Sequence, residues 1–203
     1  MKTKVTAISI ITILIFTLFT ACSPKEQPKE TPATQTNQTT EEKTTEEQTT
    51  EQTTEEPKGP VTMNVICKSV TPENKLKTKC AAEYANGQNL VPEITWDPVE
   101  NAQAYAVYML DESANNWLHM MAVTTDTTIK EGESIQGQYI GPYPPSGTHN
   151  YTIYVLALEN FPNSLSGAFN STNPGIDELS QSLSTILGQG STTVLYSNGD
   201  NNV

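Results

Sequence analysis

The chain has 203 residues, 35% of them hydrophobic, which is room for one ordinary domain rather than two. Acidic residues outnumber basic ones 23 to 11, the net charge is −12, and every basic residue is a lysine. That balance excludes the clustered basic surface that grips nucleic-acid phosphates and the polybasic patch that attracts an anionic membrane. With only three cysteines and two histidines, a Cys/His zinc cluster is all but excluded as well.

Lys2 and Lys4 precede an apolar run of fifteen residues, Val5 to Phe19, and small residues then end in Ala21-Cys22. A membrane span needs about twenty residues, so the run fits the apolar core of a secretory signal. The tail Leu18-Phe19-Thr20-Ala21-Cys22 resembles a bacterial lipobox. It implies a signal peptide over residues 1–21, a lipid on Cys22, and a chain anchored on the extracytoplasmic face of a bacterial membrane. An uncleaved anchor or an unmodified secreted protein are the other readings.

Residues 23–60 contain no Val, Ile, Leu, Met or aromatic side chain, and threonine and glutamate fill 20 of the 38 positions. Such a segment buries too little apolar surface to offset chain entropy. Together with Cys22 it reads as a disordered tether over 22–60, leaving one domain over 61–203.

Strand signals dominate that domain. Val61 to Ser69, Ala104 to Leu110, His119 to Thr125, Tyr151 to Leu158 and Ser191 to Tyr196 are β-rich runs separated by Pro and Gly turns. Tyr151 to Leu158 is apolar on both faces, so it should be a central strand covered on both sides. One helix is expected: Asn173-Pro174 offers a cap, Ile176, Leu179, Leu183, Ile186 and Leu187 form an apolar stripe, and Gly188 stops it. The pattern is that of a mainly β sandwich with a late helix.

Cys67 and Cys80, thirteen apart, remain once Cys22 carries a lipid. Outside the cytoplasm such a pair is usually bridged, and a disulfide between them is the expectation, with two buried thiols as the alternative.

Both histidines stand in unusual surroundings. His119 ends the stretch Asp111-Glu112-Ser113-Ala114-Asn115-Asn116-Trp117-Leu118-His119. His149 follows Gly141-Pro142-Tyr143-Pro144-Pro145-Ser146-Gly147, a stiff, sharply turned loop suited to holding backbone donors in place.

Trp117-Leu118-His119, the Gly141-to-Gly147 segment, His149-Asn150-Tyr151 and the strand ending at Ala157-Leu158 resemble, in this order, the phosphatidylethanolamine-binding protein family in its bacterial, Raf-kinase-inhibitor-like branch. Upstream, Glu83-Tyr84 and Asn89 to Trp96 are similar to the family's earlier motifs. The resemblance covers about residues 61–198. It implies a Greek-key antiparallel β-sandwich with a C-terminal helix and a small surface pocket for an anionic, phosphoryl-type head group. Carried over by position, that pocket is Asp111, His119, Gly141, Pro142, Pro144, His149 and Tyr151, walled by Trp117 or Tyr143. A histidine beside a carboxylate would have a raised pKa and offer a positive donor, and the Gly/Pro turn would add backbone N–H groups. Two departures stand out: the acidic loop is short and lacks prolines, and Asn150 replaces the family's arginine.

The expected function is therefore non-catalytic capture of a small anionic or phosphorylated ligand, with no cofactor and no resident metal. The membrane is reached only through the lipid on Cys22. Two rivals remain: a module that docks or inhibits a protein partner, with homodimerisation as a variant, and a hydrolase using Asp111 and His119 as an acid–base pair.

Overall fold

A computed structural model describes residues 59–199. The expected signal peptide, Cys22 and nearly all of the expected tether thus lie outside the described residues.

The strands are β1 (Val61–Thr62), β2 (Val65–Cys67), β3 (Ile94–Trp96), β4 (Ala104–Asp111), β5 (Trp117–Thr124), β6 (Thr128–Ile129), β7 (Gln136–Tyr139), β8 (Thr148–Leu158) and β9 (Ile186–Ser197), with one short helix, α1 (Ile176–Ser180). They form a six-stranded sheet of order β1-β9-β8-β4-β5-β7 and a three-stranded sheet of order β2-β3-β6. In the large sheet β4, β5 and β7 run as a meander and β8 returns beside β4, which is the Greek-key order. All pairings are antiparallel except that of β1 with β9. The mainly β sandwich is what forms.

The large sheet is apolar on both faces because its central strands are. Every residue of β4 is buried. Its alternate side chains Tyr105, Val107 and Met109 join Ile153 and Val155 of β8 in a core shared with the small sheet. Ala106, Tyr108 and Leu110 join Leu156, Leu158 and Leu179 in a second core under α1 and its flanking loop. The period of two that puts successive residues on opposite faces thus fills two cores from one strand.

The helix is five residues long and lies between β8 and β9 rather than at the C-terminus. Gly175, not Asn173, is its N-cap. Ile186 and Leu187, read as helical, open β9, where Leu187 is the extra residue of a bulge opposite Ala157 and Leu158. Gly188 is no helix stop. It and Gly190 sit in β9, where a Cβ at Gly188 would crowd the Val99 and Val61 side chains and one at Gly190 would collide with the Met63 backbone.

The expected disulfide is absent: Cys67 and Cys80 are free thiols, both buried in the inter-sheet core. Burial pushes their pKa values up to about 11 and about 12, which suppresses the thiolate needed to start disulfide exchange.

Candidate functional site

The site forms at the end of the inter-sheet core, where β4, β5 and β8 finish together. Asp111, the last residue of β4, is paired across the sheet with Tyr151 on β8 and Trp117 on β5. His149 lies two residues before Tyr151 and so points to the same face. His119 arrives there by a different route. In β5, Met120 pairs with Met109 and Leu118 with the adjacent Leu110, so His119 is an unpaired extra residue. This β-bulge lets Leu118 face one core and Met120 the other while the imidazole is turned into the site.

These groups line a cavity of about 240 Å³ together with Ala114, Tyr143, Pro144 and Pro145. Its wall is overwhelmingly carbon. A larger hollow of about 420 Å³ lies between α1 and the β1–β9 edge, but its lining holds neither a histidine nor an aromatic cluster. The smaller cavity is the one with chemistry in it.

Asp111 is 3% exposed and fully engaged. His149 donates from Nδ1 to Asp111 Oδ2 at 2.7 Å, and the Ser113 N–H donates to Oδ1 at 3.0 Å, capping the 3-10 turn Glu112–Ala114. The carboxylate partner is therefore His149, not His119. The His119 ring donates from Nδ1 to the Ile140 carbonyl at 2.9 Å. Burial lowers its pKa, and the nearby Ile140 and Gly141 carbonyls and the Asp111 charge only partly oppose that. The expected raised pKa is not found at His119, because the ring gives up more hydration than the carboxylate returns. The Tyr151 hydroxyl is buried without a well-formed hydrogen bond, and burial, then the Asp111 charge, hold its pKa far above the ordinary value.

Six of the eight expected ligand-site residues meet in this cavity: Asp111, Trp117, His119, Pro144, His149 and Tyr151. Gly141 and Pro142 do not line it. The Gly141 N–H donates to Asn89 Oδ1 at 2.7 Å, and a Cβ at Gly141 would collide with the Cys80 and Ala81 backbone. The Pro142 carbonyl accepts from the Ala82 N–H. The pair locks the loop onto residues 80–89 instead of presenting donors to a ligand.

Three residues escaped the sequence reading. Ala114 and Pro145 line the cavity, and no pattern singled out either as a site residue. Asn170 accepts at one Oδ1 from Trp117 Nε1 at 3.1 Å and from the Tyr143 hydroxyl at 2.7 Å, so it fixes both aromatic walls. No sequence signal marked it; Asn170 holds a positive φ of 54°, a conformation asparagine tolerates better than most residues. The Tyr143 ring also packs edge-on to Tyr84 and His119, with centroids 4.9 and 5.6 Å away. Among the described residues no group of three or more His, Cys, Asp or Glu is placed to hold a metal ion.

A search of curated proteins finds no match. Among solved structures, the chain is similar to E. coli YbcL, described as a member of the mammalian PEBP family, at 19% identity and TM-score 0.52, covering 66% of this chain and 98% of that one. It is also similar to a phosphatidylethanolamine-binding protein homologue from Chlamydia trachomatis, at 17% identity and TM-score 0.51, covering 66% and 97% respectively. At such identities these two establish the fold alone. The family model described as phosphatidylethanolamine-binding protein matches residues 67–197, from the last residue of β2 to the end of β9, and the chain belongs to that family.

Proposed function

We propose that this chain is a lipid-anchored, extracytoplasmic binding module that captures a small phospho-head-group ligand without transforming it. Proteins of the family are generally non-catalytic and typically bind ligands. One observation carries the reading here: both imidazoles, the Asp111 carboxylate and the Trp117 and Tyr143 rings converge on one cavity of head-group size. Asp111 pairs with His149 while His119 is committed to the Ile140 carbonyl, so the Asp111–His119 acid–base pair that a hydrolase would need is not assembled. The anchor and location rest on the Leu18-to-Cys22 motif.

Thermal unfolding with phosphoethanolamine tests the ligand reading. The midpoint should rise with the ligand, and His119→Asn should abolish the rise, because asparagine can keep the donor to Ile140 while removing the second ring nitrogen. A rise that survives His119→Asn and Trp117→Leu alike would place the ligand elsewhere. Radiolabelled palmitate incorporated into the wild type but not into Cys22→Ser tests the anchor.

A further inference from the structure

The hollow between α1 and the β1–β9 edge is built by the register of the large sheet. Tyr154 pairs with Ser191, and Leu156 pairs with Gln189, which pairs in turn with Thr62 of β1. Paired residues share a face, so these side chains form two rows on the side of the sheet that α1 covers. Ile176, Asp177 and Ser180 of α1 make the opposite wall of this groove of about 420 Å³. His149 and Tyr151, an odd number of places from Tyr154 along β8, point to the other side. The groove and the cavity of the two histidines therefore lie on opposite faces of one sheet and have no lining residue in common.

Most polar groups of the groove have no protein partner. Among the described residues, the Asp177 carboxylate, the Gln189 carboxamide and the Thr62 and Ser191 hydroxyls form no hydrogen bond or ion pair. Tyr154 is held instead: its hydroxyl donates to Glu112 Oε1 at 2.6 Å, which fixes the ring among them.

The lining selects among ligand classes. No lysine or histidine is part of it and the chain has no arginine, so an anion would meet only the like charge of Asp177. Asp177 is exposed, and a single solvated carboxylate holds a simple cation weakly. A wholly apolar ligand would cover the amide and the hydroxyls without pairing them. A neutral polyhydroxylated ring meets both demands. Its hydroxyls donate and accept as Gln189, Ser191 and Thr62 do, and can donate to Asp177. Its C–H face finds carbon on Tyr154, Leu156 and Ile176.

We propose that this groove is a second binding site, for one or two rings of a neutral saccharide, with Asp177 and Gln189 holding its hydroxyls. The site is separate from the head-group cavity, and neither reading needs the other.

Isothermal titration of the whole chain, kept in a polyoxyethylene detergent that carries no sugar, tests it. The probes are cellobiose, lactose, N,N′-diacetylchitobiose and, as the charged control, digalacturonic acid. At least one neutral disaccharide should bind, and the acid should not. Asp177→Ala and Gln189→Ala alter exposed side chains, so the fold should hold in both. Each should weaken the binding about tenfold, the worth of one hydrogen bond. His119→Asn should leave saccharide binding unchanged, and neither groove variant should alter the thermal response to phosphoethanolamine. Silence with all three neutral probes, equal binding of the acid, or binding indifferent to both groove variants overturns the saccharide assignment and leaves the head-group reading untouched. Binding lost in His119→Asn but kept in both groove variants would place the sugar in the histidine cavity and overturn the groove as its site.

Discussion

His149 reaches Asp111 across 2.7 Å, from one central strand of the large sheet to its neighbour, and this contact fixes the floor of the cavity. Asp111 thereby has a polar partner on each oxygen, His149 on Oδ2 and Ser113 on Oδ1. A carboxylate that is 3% exposed is tolerable only when its lone pairs are met in this way.

Removing that carboxylate should therefore cost stability as well as affinity. Asp111→Ala strands the Ser113 N–H and the His149 Nδ1–H, and the loss should be about 1–3 kcal/mol. Asp111→Asn, which keeps an acceptor in place, should lose less. Urea denaturation of the two variants measures the difference, and equal losses would show that volume rather than hydrogen bonding is what Asp111 supplies.

His119 sets a pH dependence of known sign. Its folded pKa lies below the unfolded value of about 6.5 because burial disfavours the charged ring. Above that pH the ring is neutral in both states and stability is at its full value. As the pH falls below it, the unfolded chain takes up the proton first, so stability declines until the folded pKa is passed and then levels off. Glu131 has a lowered pKa, held down by Lys79 and Ser69 against its own burial, and the exposed Glu73 is lowered by Thr71, so both lose their contribution only at more acid pH. The urea midpoint should fall as the pH drops below about 6.5, and His119→Asn should flatten that part of the curve. An identical slope in the variant would assign the titration to another group.

The two cysteines make a chemical prediction. With thiol pKa values pushed up to about 11 and about 12 by burial, neither should react with a neutral-pH disulfide reagent while the chain is folded. In urea, without reductant, Cys67 and Cys80 should both be alkylated, as peptide mapping would show. Recovery of the two peptides joined would restore the disulfide expected from compartment and spacing.

What the sequence revealed follows from where the physics is local. β4 and the Tyr151–Leu158 part of β8 were legible because a strand covered on both faces must be largely apolar, and little else competes there. The region 176–190 was misread because two kinds of constraint produce the same letters. Ile186 and Leu187 extend a helical stripe equally well as they open a bulged strand, and Gly188 ends a helix as readily as it admits a neighbouring chain. Only the approach of β1, set by residues over a hundred positions upstream, decides between them. The site divides along the same line. Asp111, His119 and His149 carry a recognisable order along the chain, and the structure brings them together. The roles of Gly141 and of Asn170 depend on partners at Asn89, Trp117 and Tyr143 that no spacing announces.

Asn170 gives the sharpest test of how the cavity walls are held. Its side chain is exposed, but its one Oδ1 receives both the Trp117 indole and the Tyr143 hydroxyl. Alanine would confuse two effects, since a φ of 54° strains any residue with a Cβ and costs about 1 kcal/mol by itself. Asn170→Gly keeps the backbone at ease and removes only the acceptor. Stability should then change by less than about 1 kcal/mol, in keeping with the loss of exposed hydrogen bonds. Ligand affinity should fall several-fold, because both aromatic walls lose the atom that holds them, and the Trp117 emission should shift as its N–H turns to solvent. Unchanged affinity in Asn170→Gly would mean that packing against His119 and Tyr84 is enough to hold the walls, and that the asparagine matters only to the loop that carries it.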